Sequence, residues 1–445
     1  MNRLALLLIL IAMSAGAIRA DLPFRQHRYD SFRALPLNEQ SIVFYGNSIT
    51  NMHEWWEAFG CDERVANRGN SGAITPELIA NVGSITAGKP AKVFIGIGTN
   101  DLGTGSISQP DSVAQRIATI VSAIRRDSPR TQVYVQSILP SNVGIRNVKA
   151  TRATNERVRE LVEPMGATFI DLFDEMMPIT EKEISYDGLH LTSKGYTKWL
   201  RRIAPYVEIE PIYSDMLTEN NGGISSNSFG MRNTYFSAYP VDRDDILIMG
   251  DEMIHGGEWH ELLRNPRIKN RGTGWGFGGL RLKQWPGAVD AILGSNGNKQ
   301  APRKIMLYLG TADMLQKGAD QDSIIADYRR VIDRIRYYAP ASQTEIGIMS
   351  ITPLPAEERN KNIVAPLNEK LRSLAATLPG TTYIDIFTPL SMADGRANSR
   401  YVDSNGYITG YGYGEIARRL APEIPGSDPL SADEIERNYA RTAAN

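Results

Sequence analysis

The sequence predicts an α/β protein built as two tandem three-layer α/β/α domains, each around a central parallel sheet. Short apolar runs alternate with longer stretches of helical spacing, and the whole alternation occurs twice. The composition agrees: 445 residues, 22% charged and 42% hydrophobic, describe an ordinary soluble chain. Domains of roughly 100–200 residues leave room for two or three.

The first element is a leader. Arg3 gives a positive start, Leu4 to Met13 is an unbroken apolar run, and Ala15-Gly16-Ala17 and Ala20 offer small-residue cleavage sites. As a helix that run spans about 15 Å, half of a ~30 Å hydrocarbon core. Residues 1–20 are therefore expected to be a signal peptide. The protein is expected to be exported, periplasmic or secreted, with no integral membrane segment once the signal is removed.

Next come strands and helices. Ser41–Tyr45, Val93–Ile97 and Val133–Ile138 are short, rich in β-branched residues and bounded by Gly or Pro, so they read as buried strands. Val113–Ile124 and Asn155–Val162 carry helical spacing. In open parallel sheets ligands bind at the carboxyl ends of the strands, which directs attention to the loops there.

The duplication is read from ordered matches. Pro36 to Gly46 is echoed by Pro240 to Gly250, and Glu54-Trp55-Trp56-Glu57 by Glu258-Trp259-His260-Glu261, both at an offset of 204. Asn67-Arg68-Gly69 matches Asn270-Arg271-Gly272, Lys92 to Asp101 matches Lys304 to Asp313, and Tyr196 matches Tyr413. The expected organisation is a first domain over 21–212, a linker over 213–232 containing Asn220-Asn221-Gly222-Gly223, a second domain over 233–425 and a tail over 426–445.

Charge and metal-ligand chemistry narrow the function. Lys plus Arg is 49 and Asp plus Glu is 50, so the basic excess that phosphate-backbone binding needs is missing, and nucleic acid is not an expected partner. Cys61 stands alone, which excludes an intrachain disulfide and a Cys-rich zinc site. The five histidines, His27, His53, His190, His255 and His260, show no His-Glu-x-x-His spacing, so neither metal nor cofactor is expected.

Four blocks in the first copy carry chemistry: Gly46-Asn47-Ser48-Ile49-Thr50, Asn67-Arg68-Gly69-Asn70-Ser71-Gly72, Gly98-Thr99-Asn100-Asp101 and Asp187-Gly188-Leu189-His190-Leu191. A serine hydroxyl is a weak nucleophile until a base lies within hydrogen-bond reach. His190 follows Asp187 by three residues, so both can face one side of a loop, and the carboxylate can orient the imidazole. His53, five residues after Ser48, reads as a surface residue of the following helix. Taken alone, Gly72 reads as a turn glycine and Asn100 as a turn cap.

Together and in this order, the blocks resemble the SGNH (GDSL-like) hydrolases, in particular the branch of platelet-activating-factor acetylhydrolase catalytic subunits, over nearly all of residues 40–205. The resemblance implies flavodoxin-like domains, Ser48 as nucleophile, His190 as base and Asp187 as its orienting partner. It also implies an oxyanion hole made of the backbone N–H groups of Ser48 and Gly72 and the side-chain amide of Asn100. The family usually has Asp where this chain has Asn47, a position read as structural.

The second copy is a built-in control. Glu252 stands at the place of Ser48, Ala312 at that of Asn100, Tyr407 at that of His190 and, without a gap, Trp275 at that of Gly72. Arg68 and Asp101 keep counterparts in Arg271 and Asp313, which points to folding roles. The second copy is expected to lack serine esterase activity. It could be a packing partner, a glycan-binding cleft with Trp259, Trp275 and Tyr407 as stacking residues, or a carboxylate site on Glu252, Asp313 and Asp403. The expected function is hydrolysis of small acyl esters, acetyl first, on carbohydrate. The alternatives are lipid or lysophospholipid esters, thioesters, or glycan binding without catalysis.

Overall fold

The computed structural model describes residues 24–443 apart from 106–107, 186, 214–231, 233–235, 237–238, 240, 274–278 and 295–299. The expected signal peptide, nearly all of the expected linker and Trp275 lie outside the described residues. Two five-stranded sheets organise the rest, with all named strand pairs parallel. The first contains β1 (Ile42–Gly46), β2 (Val65–Gly69), β3 (Lys92–Gly96), β4 (Gln132–Gln136) and β5 (Thr168–Ile170), in the order β2-β1-β3-β4-β5. The second contains β6 (Ile246–Gly250), β7 (Ile268–Gly272), β8 (Lys304–Tyr308), β9 (Glu345–Met349) and β10 (Thr381–Ile384), and its order β10-β9-β8-β6-β7 is the same topology. The chain reverses its winding direction beside the first strand of each unit, and this is where such sheets open a crevice.

The central strands are buried on both faces because their side chains alternate between two cores. In β1, Val43 and Tyr45 enter one apolar cluster, whereas Ile42 and Phe44 enter the other. Leu247 and Met249 of β6 are likewise separated from Ile246 and Ile248. The helix Pro110–Asp127 covers one face, and its buried Val113, Ala114, Ile117, Ile120, Val121 and Ile124 recur at helical spacing. No helix among the described residues is long and apolar enough to cross a membrane.

The two units are joined by a reciprocal set of buried ion pairs. Arg68 of β2 grips Glu261 of the second unit at 2.8 and 2.7 Å, and Arg271 of β7 grips Glu57 of the first at 2.5 and 3.0 Å. Arg28 binds Glu258 and the carbonyl of Gly256, while Arg232 binds Glu54 and the carbonyl of Met52. All four arginines are at most 2% exposed. Arg28 and Arg68 lie over the Phe32 ring, and Arg232 and Arg271 over Phe236. Each contact is its partner contact with the units exchanged, so the pair behaves as a two-fold dimer on one chain. The repeat thus extends upstream to Arg28 and Phe32, matched by Arg232 and Phe236.

The segments leading into each unit cross over. In the helix over 24–34, Asp30 accepts from the N–H of Gly410, and Asn438 donates to the carbonyl of Ala34. Ala34 and Leu35 enter a core of the second unit, and Tyr239 enters a core of the first. The stretch expected as a tail carries the helix Ala432–Ala443, with Ile435 buried in that same second-unit core.

Candidate active site

β1 ends at Gly46, and Ser48 opens the short helix Ser48–Asn51. Asn47 caps that helix by accepting from the Ile49 N–H at 3.0 Å, so the amide oxygen does what an aspartate oxygen would do. Two contacts from elsewhere pin the turn: Trp55 donates to the carbonyl of Thr50 and Tyr196 to that of Ile49, at 2.8 and 2.6 Å. The second unit repeats this support. Asp251 caps Met253, Trp259 donates to the carbonyl of Ile254, and Tyr413 donates to that of Met253.

Ser48 is 4% exposed, and its Oγ lies 3.0 Å from His190 Nε2. His190 Nδ1 lies 2.7 Å from Asp187 Oδ2, while Asp187 Oδ1 accepts from the N–H groups of Leu189 and His190 at 2.9 and 2.7 Å. Gly188 sits at φ +78°, a conformation that folds Asp187 and His190 onto one side of the loop. Burial pushes the Asp187 carboxyl up, but the His190 ring and the two backbone donors outweigh burial and hold it at about 2. A hydroxyl, an imidazole and an ionised carboxylate from distant stretches therefore form one hydrogen-bonded line.

The remaining blocks arrive through the strand register. Gly46 is level with Gly69 of β2 and with Gly96 of β3, so Gly72 and Asn100, just beyond those strands, flank Ser48. Gly72 is at φ +79°, and a Cβ there would come within 3.0 Å of the Arg25 guanidinium. The Asn100 amide donates to the carbonyl of Ala73 at 3.0 Å. Asp101, fully buried, accepts from the N–H and hydroxyl of Thr75 and pairs with Arg116. It ties the Gly72 loop to the Asn100 loop, in keeping with the folding role read from its repeat counterpart. Arg68 serves the contact between units.

Three expectations change. His53 is no surface residue: it is 1% exposed, stacked on Tyr196 at 4.0 Å and hydrogen-bonded to Tyr239, and burial drives its pKa well below the usual histidine value. Trp259 is fully buried beneath the Glu252 turn, as Trp55 is beneath the Ser48 turn, and offers no face to a sugar. Tyr407 stacks on His27 of the N-terminal helix at 5.3 Å, while His27 Nδ1–H donates to the carbonyl of Ile408. The cavity lined by His27, Asp251, Glu252, Tyr308, Thr311 and Tyr407 holds only about 30 Å³, space for one or two waters rather than a glycan.

Asp403 accepts from the N–H groups of Asn405 and Tyr407, and Asp313 from that of Leu282, so both act as turn caps. Among the described residues, the trio of acids and histidine close enough to hold a metal is Glu258, His260 and Glu261. Its two carboxylates already bind Arg28 and Arg68.

The sequence pattern gives no role to Arg25, His27 or Arg146 around these clefts. The repeated Arg28 and Arg232 could have shown that the N-terminal helix belongs to the paired structure, whereas Arg146 has no sequence signal of its own.

The comparison with curated proteins found no match. Among solved structures, a candidate platelet activating factor from Streptococcus pneumonia is 26% identical, with a TM-score of 0.39, over 46% of this chain and 100% of its own. A carbohydrate esterase family 3 protein from Talaromyces cellulolyticus is 20% identical, with a TM-score of 0.33, over 38% and 96%. A catalytic mutant of an acetylxylan esterase from Geobacillus stearothermophilus is 16% identical, with a TM-score of 0.32, over 39% and 96%. The model of the GDSL-like Lipase/Acylhydrolase family matches twice, over residues 44–198 and 255–413, which together make up more than half of the chain. With a strand-end serine and its histidine in each other's reach and the family pattern present in both units, this chain belongs to the GDSL-like lipase/acylhydrolase family.

Proposed function

We propose that the first unit is a serine esterase acting on small acyl esters, acetyl above all, carried by carbohydrate, and that it works after export. The observation that carries the reading is the unbroken line Ser48 Oγ–His190 Nε2, 3.0 Å, and His190 Nδ1–Asp187 Oδ2, 2.7 Å. Ser48 attacks the ester carbonyl as His190 takes its proton. The oxyanion is held by the N–H groups of Ser48 and Gly72 and by the Asn100 amide. The tetrahedral adduct collapses as His190 protonates the leaving alcohol. A water activated by His190 then attacks the acyl-serine, releases the acid and restores the hydroxyl.

The preference for a polar alcohol rests on the rim. The loop over 141–147, which approaches Gly188 through Val143 and Asn100 through Arg146, exposes only two large apolar side chains, Val143 and Ile145. That is little surface for an acyl chain or a membrane. The second unit, with Glu252 and Tyr407 at the reacting positions, is a packing partner without esterase chemistry. A panel of activated esters of graded acyl length, run beside acetylated glycans and a lysophospholipid, tests the reading. Turnover that falls sharply beyond two carbons supports it, and faster turnover of long chains would overturn the acetyl assignment. A serine-directed phosphonate is expected to label Ser48 alone.

A further inference from the structure

Arg146 precedes the helix Val148–Val162, whose N-cap Asn147 accepts from the Ala150 N–H at 2.7 Å, so its backbone is anchored. Its side chain turns back across the cleft. Nε donates to the carbonyl of Thr99 at 2.8 Å, Nη1 to that of Val143 at 3.2 Å and Nη2 to Asn100 Oδ1 at 3.2 Å. Asn100 is thereby held at both ends, because its Nδ2 donates to the carbonyl of Ala73 at 3.0 Å. A flipped amide would set Oδ1 against a carbonyl and Nδ2 against a guanidinium, two repulsive contacts in place of two hydrogen bonds. The Nδ2 group has two hydrogens; Ala73 takes one and the other remains for a ligand.

We propose that Arg146 is a positioning residue that locks the Asn100 amide so that its second hydrogen points at the developing oxyanion. The inference rests on the esterase reading above and assigns a role to a side chain outside the four blocks. An oxyanion hole works by preorganisation: a donor already aimed costs no reorganisation when the charge appears. Arg146 acts through Asn100, with no contact to the reacting atoms required. The guanidinium lies against Gly103, where a Cβ would come within 2.4 Å of it. A methyl group at that position therefore displaces the guanidinium without altering its charge.

The test uses the full chain with an activated acetyl ester and four variants: Arg146→Met, Gly103→Ala, Asn100→Ala and the double variant Arg146→Met/Asn100→Ala. Arg146→Met is expected to lower kcat about tenfold with KM within about twofold, less than the ~10²–10³ loss typical of removing a donor outright. Gly103→Ala is expected to lower kcat in the same way. In the Asn100→Ala background, Arg146→Met is expected to cost less than about twofold further, since there is no amide left to hold. Effects that multiply in the double variant, or an Arg146→Met enzyme with wild-type kcat, would overturn the proposal. The side-chain NH2 resonances of Asn100 give a readout independent of turnover: shifted from free-amide positions and protected from solvent exchange in the parent, moved to free-amide positions and faster exchanging in Arg146→Met. Resonances unchanged in Arg146→Met would overturn the role of Arg146 while leaving the esterase reading intact, whereas full turnover by Ser48→Ala would overturn that reading.

Discussion

The two clefts share a scaffold and differ in what fills it. In each, a five-residue strand ends in glycine, an Asn or Asp caps the turn that follows, a tryptophan and a tyrosine pin that turn, and an arginine from the next strand reaches into the other unit. In the first cleft the turn presents Ser48 to His190. In the second it presents Glu252 to a cavity of about 30 Å³ lined by Tyr407 and His27. Contacts that hold the fold are thus separable from groups that react. In the second cleft Phe24 and His27 of the N-terminal helix pack on Tyr407. The capping residues sharpen the contrast. Asn47 is neutral, whereas burial pushes the Asp251 carboxyl up to about 7.

The comparison breaks most sharply at the nucleophile. Ser48→Ala is expected to reduce hydrolysis of an activated acetyl ester by at least ~10³-fold, as loss of a triad member does, whereas Glu252→Ala stays within about twofold of the parent. Steady-state assay of both variants in parallel measures this. Asn100→Ala, which copies the alanine of the second unit, is expected to cost ~10²–10³ in kcat with little change in KM.

A smaller effect concerns the joint between units. Arg68→Ala leaves the half-buried Glu261 without its bidentate partner and is expected to destabilise the protein by about 3 kcal/mol, the low end for a broken buried pair, whereas Arg68→Met/Glu261→Leu recovers much of that loss. Thermal melting of both variants reads the difference. Arg271→Ala removes the counterpart contact from the more deeply buried Glu57, which keeps Lys269 at 3.4 Å, so a loss of the same order is expected.

The smallest effect is in pH dependence. The folded pKa of Asp251 lies above its ordinary value of 3.8. Its contribution to stability is therefore fully present below about pH 4 and is lost as pH rises through about 7. Asp251→Asn, which copies Asn47, is expected to raise the melting temperature by several degrees at pH 8 and to leave it unchanged at pH 4. Asp187 has the opposite sign: lowered from 3.8 to about 2, its contribution is fully present at neutral pH and is lost as pH falls below about 4 and through about 2.

Much of this was legible in residue order. The strand runs at Ser41–Tyr45 and Val93–Ile97 fall within one residue of β1 and β3, because short apolar runs rich in β-branched and aromatic residues have few other ways to be buried. The spacing of Asp187 and His190 describes a local turn, and local turns are written locally. His53 was misread because five residues of separation say nothing about Tyr196 and Tyr239, which bury it from distant parts of the chain. Trp259 was misread as a ligand platform because an exposed and a pinning tryptophan look the same in a one-dimensional pattern.

By itself, the sequence determined the duplication, the two parallel-sheet units, the order of the four blocks and the standing of Glu252, Ala312 and Tyr407 where the first copy has Ser48, Asn100 and His190. All of these are local or periodic, and side-chain type and spacing along the chain suffice to encode them. Tertiary structure alone decided that the leading segments cross over, that Arg68 and Arg271 reach between units, that His27 stacks on Tyr407 beside Glu252, and that Arg146 holds Asn100. Those outcomes depend on which surfaces lose water against each other, a choice made among residues dozens to hundreds of positions apart and settled only when the packed chain satisfies its buried charges.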